Sequence, residues 1–151
     1  MNQTSTVRAF REGLVRAHMD GESALDFDAV MKTFSHPRYE LIGTGTVFDG
    51  DAEVRRYFQL SRAPFPDQGN ELIALHYTDD GILTEFWLTG THLGPIKVGG
   101  EVIAPTGKTF RVRMAALFVF DDKGIVAERV WFDQLSIFTQ LGIKIAASTE
   151  A

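Results

Sequence analysis

The sequence predicts an α+β fold with helices first and an antiparallel sheet after them, and two observations carry that prediction. Apolar residues recur at three- and four-residue spacing as far as Pro64, the signature of amphipathic helices. Beyond Pro66 the period falls to two and β-branched and aromatic residues dominate, as in strands with two distinct faces. Strands that follow helices, rather than alternate with them, place the helices together on one face of a curved sheet.

The elements follow in order. From Thr4 to Asp20 the residues Val7, Phe10, Leu14, Val15 and His18 or Met19 form one stripe, which Asp20-Gly21 stops. Leu25, Phe27, Val30, Met31 and Phe34 continue the helical spacing up to Pro37, whose ring disfavours a helical His36. Tyr39 to Val47 has room for a short strand or hairpin. The turn Phe48-Asp49-Gly50-Asp51 then offers an N-cap to a third helix carrying Val54, Tyr57, Phe58 and Leu60. Four long strands are expected at Glu71–Tyr77, Ile82–His92, Thr109–Phe120 and Ile125–Asp133. Asp79-Asp80-Gly81, a loop bearing glycine and proline, and Asp121-Asp122-Lys123-Gly124 separate them. A short helical pattern from Gln134 to Gly142 closes the chain.

Composition bounds the function. The 151 residues are 44% hydrophobic and 23% charged, an ordinary globular balance that suits one domain over 1–151. With no cysteine, disulfides, thiolate metal sites and a cysteine nucleophile are excluded. A net charge of −5 without a basic run argues against nucleic acid as a partner. The first residues have no apolar leader and no run reaches the ~20 apolar residues that span a bilayer, so no membrane partner and a cytoplasmic location are expected. Histidines and carboxylates show no metal-ligand spacing such as His-x-His, so no metal is expected.

Candidate site residues come from chemistry-bearing side chains on strands and strand ends. Asp133 stands at the end of the last strand, two residues past Trp131 on the same side, where it either looks into whatever the sheet encloses or caps the helix that follows. His92 sits in Gly-Thr-His-Leu-Gly-Pro at another strand end, placed to assist proton transfer or held by backbone hydrogen bonds. Glu85 and Trp87 share one side of their strand; Glu85 pairs with Arg113 or Arg129, or serves as a pocket group. His18 on the first helix and Tyr39 after Pro37 complete the set, with Tyr39 able to donate a hydrogen bond to an enolate oxygen.

Read together, Phe48-Asp49-Gly50, Phe65-Pro66-Asp67, Gly90-Thr91-His92-Leu93-Gly94-Pro95, Pro105-Thr106-Gly107-Lys108, Glu128-Arg129, and Phe132-Asp133 followed by Gln140-Leu141-Gly142 make a recognisable series. In this order and spacing, from Val7 to Ile143, the chain resembles the SnoaL-like polyketide cyclases of the nuclear transport factor 2 and ketosteroid isomerase superfamily. The resemblance implies a cone-shaped α+β barrel with a curved, mixed sheet packed on three N-terminal helices. It also implies a homodimer formed through the sheet. Its chemistry would be an intramolecular aldol closure or isomerisation of an apolar carbonyl compound, polyketide- or steroid-like, without cofactor. The aspartate that matches as acid/base is Asp133; the reading of the residues themselves adds His92 as its assistant and Trp131, Trp87, Glu85, Tyr39, His18 and Arg113 as groups around the substrate. The first helix has no tyrosine to match the one that holds the enolate in ketosteroid isomerase. The same fold also hosts non-catalytic ligand binders and scaffolds, in which Asp133 would cap a helix and side chains would fill the hollow. An enclosed apolar pocket with an acid on its wall separates the two readings.

Overall fold

A computed structural model describes residues 3–145. Helix α1 (Gln3–Ser23) leads, followed by α2 (Phe27–Met31), the hairpin β1 (Arg38–Leu41) and β2 (Thr46–Asp49), and α3 (Asp51–Arg62). Strands β3 (Gly69–Tyr77), β4 (Gly81–Thr91), β5 (Ile96–Val98), β6 (Glu101–Ile103), β7 (Thr109–Phe120) and β8 (Ile125–Trp131) come next, and α4 (Gln134–Gln140) ends the series. Among the described residues no helix is long and apolar enough to cross a membrane.

Six strands form one sheet in the order β2-β1-β8-β7-β4-β3, antiparallel throughout except where β1 runs parallel to β8. The sheet curves around the helices without closing. Strands β5 and β6 pair as a separate hairpin inside the expected loop, where Gly99 and Gly100 at positive φ make a turn that the loop's glycine content disguised.

Two of the expected helices differ in detail. Leu25, at φ 58°, turns the chain sharply after α1, so the second helix shrinks to five residues capped by the Asp26 carboxylate on the Ala29 amide. The third helix has Gly50 at its N-cap with no side-chain cap bond; Asp51 and Glu53 instead place negative charge in its first turn. In α1 only the later part of the stripe reaches the core. Val15, His18 and Met19 are buried, while Val7 and Phe10 are about half exposed, and the first half of the helix meets the sheet through Arg8 over the Tyr77 ring and Arg11 over the Phe120 ring.

Register decides which strand face is enclosed. Phe86 pairs with Met114, Phe118 with Glu128 and Ala116 with Val130, so these side chains share the concave face. Tyr39 and Leu41, opposite Glu128 and Val130, extend it across β1. The convex face takes the alternate set: Trp87 pairs with Arg113, Glu85 with Ala115, and Ala115 with Trp131. A parity-two pattern cannot say which set is inside when both are partly apolar; the helices cover the side bearing Glu128.

Candidate functional site

The concave face, the ends of α1 and α3, and α4 line a cavity of about 280 Å³ that is partly open to solvent. Its walls are mainly apolar, from Phe86, Leu88, Phe110, Met114, Val130 and Phe138. Polar groups gather at one end, where Glu22, Tyr39, Tyr57, Arg62 and Glu128 line it. This is the usual build of a small-molecule site, apolar with a few converging polar groups.

The sequence places those groups simply. His18 and Glu22 are four residues apart on α1, so one helical face carries both toward the sheet. Tyr39 and Glu128 sit opposite each other on neighbouring strands. His18 Nδ1 lies 2.9 Å from Thr33 Oγ1, which already donates its own proton to the Val30 carbonyl at 2.7 Å; Nδ1–H therefore donates to Thr33. On the other side, Nε2 lies 2.7 Å from the Tyr39 hydroxyl, and that hydroxyl donates to Glu22 Oε1 at 2.7 Å. With Tyr39 donating onward to Glu22, Nε2 must also carry a proton, so the bonding assigns His18 as an imidazolium.

Electrostatics agree with the bonding. Burial of His18 opposes its charge, but Glu128 and Glu22 outweigh that and raise its pKa to about 9. Glu22 is likewise opposed by burial, yet the bond and charge of His18, with Arg62 behind it, hold the carboxyl down to about 2. Glu128 differs. Its burial and the facing Glu22 charge push its pKa up, more than His18 can pull it down. Its Oε2 is 3.0 Å from His18 Nε2, off the line of the Nε2–Tyr39 bond, and receives no aligned hydrogen bond. Among the three, Glu128 is thus the group whose surroundings most favour its protonated form. Tyr39 and Tyr57 are both raised by burial, so their hydroxyls remain protonated.

Donor atoms of His18, Glu22 and Glu128 lie within 4.8 Å of one another, close enough to share a cation. Such an ion would have to displace the His18 proton and break its bond to Tyr39.

Of the residues singled out from sequence, the structure brings His18 and Tyr39 into this cluster. Asp133 is exposed, lies outside the lining of this cavity and caps α4, its Oδ1 accepting from the Ser136 amide at 3.1 Å. Asp133→Ala is accordingly expected to cost about 1 kcal/mol, measured by urea denaturation, through loss of the cap. Trp131, Glu85 and Arg113 join Asp133 around an open depression on the convex face. There Glu85 meets His76 at 3.3 Å and Arg113 at 3.6 Å, and Arg113 lies over the Trp87 ring at 5.0 Å. His92 is fully buried beyond Phe65, away from the cavity lining. Its Nδ1 accepts the Thr106 amide at 3.2 Å, which makes it a neutral ring stitching two loops together.

Glu22, Arg62 and Glu128 were not singled out from sequence. Glu128 left a trace: an acid between Val126 and Val130 on the same side of a strand, which must be either paired or functional if that side is buried. Glu22 left another, the His-x-x-x-Glu spacing on a helix.

Comparison with known proteins supports the fold and the family. The family described as the SnoaL-like domain matches residues 15–128. No curated protein sequence matches the chain. Among solved structures, a candidate SnoaL-like polyketide cyclase from Jannaschia sp. is similar with a TM-score of 0.76 at 18% identity, covering 91% of this chain and 94% of that one. A candidate polyketide cyclase from Streptomyces antibioticus gives 0.72 at 22% identity, over 88% and 99% of the two chains. A candidate hydroxylase from Streptomyces galilaeus gives 0.73 at 18% identity, over 89% and 96%.

Proposed function

Because the chain belongs to the SnoaL-like domain family, we propose that it is a small-molecule enzyme performing acid/base chemistry on an apolar carbonyl compound, with Glu128 as the proton-transferring group. The carrying observation is that Glu128, buried with an oxygen that receives no aligned hydrogen bond, stands on the wall of a mainly apolar cavity. Relatives of this fold described as polyketide cyclases and a hydroxylase make ring closure or isomerisation the reaction class that fits.

The chemistry follows from the local electrostatics. A carboxylate whose pKa is raised by burial is a stronger base than a free one, and after taking a proton it is a usable acid. Ionised Glu128 removes a proton from the carbon next to the substrate carbonyl, and the electron pair moves onto the carbonyl oxygen. The Tyr57 hydroxyl, protonated and on the same wall, is a donor for that oxygen. The enolate carbon then attacks a second carbonyl of the same molecule in a cyclisation, or recovers the proton elsewhere in an isomerisation. Glu128 returns the proton in either case. His18, Glu22 and Tyr39 hold a fixed charge pattern behind it, so little reorganisation is needed during the reaction.

The test uses a neutral bicyclic ketone, 2-tetralone, in D2O with NMR detection of α-proton exchange. The protein is expected to accelerate exchange, Glu128→Gln to abolish the acceleration, and Asp133→Asn to keep it. Acceleration that survives in Glu128→Gln removes Glu128 from the mechanism, and dependence on Asp133 would transfer the role there.

A further inference from the structure

Among the described residues Arg62 is the one cation on the cavity lining, and it is poorly paired. Its side chain is only 11% exposed at the end of α3. Nη1 donates to Ser61 Oγ at 2.9 Å, Nη2 stops 3.9 Å from Glu22 Oε1, and Nε is buried without a partner. The guanidinium carbon lies 5.3 Å over the Phe27 ring and 5.9 Å over that of Phe58, contacts that hold its plane without matching its charge. Glu22 cannot take up the slack. Its Oε1 already accepts from Tyr39 and stands 3.7 Å from the His18 cation. A largely desolvated cation left this incomplete is unfavourable until an anion arrives with the right fork geometry.

We infer that the cavity takes small apolar carbonyl compounds bearing a single carboxylate, and that Arg62 seats that carboxylate. The inference rests on the reading of this cavity as the reaction site and adds its substrate class. Planar carboxylate suits the free Nε and Nη2 edge, which presents two parallel donors. One acid group suits the balance of charge while Glu128 carries its proton: among the described residues the charged side chains left on the lining are then Glu22 and Arg62, and the His18 cation offsets Glu22. A dianion would bring a charge that nothing on the remaining apolar wall meets. Arg62 and Glu128 line the same cavity, so one molecule in it can meet both.

Calorimetric titration with 2-naphthoate and its methyl ester, which share a ring system that reports the apolar wall, tests the assignment. The wild-type protein is expected to prefer the acid by about tenfold to a hundredfold, the worth of a charge-assisted hydrogen-bonded pair. Arg62→Gln should bind the ester as before and lose the preference; Arg62→Lys, which keeps the charge, should retain part of it. Equal affinity of the wild type for acid and ester overturns the inference however the variants fold, as does a preference that survives in Arg62→Gln. Should Arg62→Gln bind neither probe, a Lys variant that binds the ester and still prefers the acid supports the assignment, and one without that preference overturns it. The 2-tetralone assay keeps the two readings apart. Lost exchange with an intact acid preference removes the chemistry and leaves the subsite, whereas intact exchange with no preference removes only the carboxylate.

Discussion

Replacing Phe118 by alanine is expected to lower the unfolding free energy by about 3–5 kcal/mol, the range for deleting a fully packed phenylalanine. The ring is 1% exposed, sits in β7 between Ile82 and Glu128, and meets the His18 ring edge-on at 5.2 Å. Its loss should therefore reach beyond the core. A void beside His18 and Glu128 that water can enter would relieve the burial that raises the Glu128 pKa, so the carboxyl should titrate closer to its ordinary 4.5. Urea denaturation measures the first effect and carbon-detected NMR titration of the glutamates the second. Leu141→Ala provides the contrast. That side chain is fully buried in the other cluster, with Ile137 and Phe138, and its removal should destabilise without moving Glu128. Equal shifts of Glu128 in both variants would mean that general loosening, and not local water, sets its proton affinity.

The contrast between these two sites explains how much could be read from sequence. Element types and their order followed from periodicity, because burial of one face imposes a spacing that a single chain displays: Val15 to Met19 on a helix, Phe110 to Phe120 on a strand. The β5–β6 hairpin escaped because three-residue strands are too short for a period to register. The candidate site was legible only in part. His18 and Tyr39 stood out as chemistry-bearing groups near helix and strand ends, yet nothing local ties them together; 21 residues separate them and a hydrogen bond joins them. Alternation on β8 separated the Glu128 set from the Asp133 set correctly, but the choice between the two faces depends on where α1 and α3 pack. Convex-face charges such as Arg113 and Glu85 pair among themselves across strands, which leaves apolar Trp87 and Trp131 outward and makes that face look like a core in one dimension. Asp133 satisfies the local rule for a cap, and the local rule prevailed.

Raising the pH through about 9 is expected to remove roughly 3 kcal/mol of stability, because the His18 pKa rises from 6.5 in the unfolded chain to about 9 in the folded one. A group bound more tightly to its proton in the native state contributes fully while the pH is below 6.5 and loses that contribution progressively up to about 9. Glu22 acts in the opposite sense. Its pKa falls from 4.5 to about 2, so its contribution is complete above 4.5 and fades as acid approaches about 2. The buried pair thus contributes fully between roughly 4.5 and 6.5, while Glu128, whose pKa is raised, loses its contribution as the pH climbs above 4.5, so urea midpoints should already decline across that window and fall further on its alkaline side. His18→Gln should flatten the alkaline limb while starting from lower stability, since Glu22 and Glu128 then face each other without the intervening cation. A wild-type curve that stays level through 9 would show that His18 is neutral in the fold, and would reassign its Nε2 as an acceptor from Tyr39. The same substitution bears on catalysis. Of the influences on Glu128, His18 is the one that favours its ionised form most, so its removal should push the Glu128 pKa higher still and move the acid limb of the 2-tetralone exchange profile upward in pH. Stability and proton transfer would then be two readouts of one buried charge, moving together in His18→Gln and separately in Glu128→Gln.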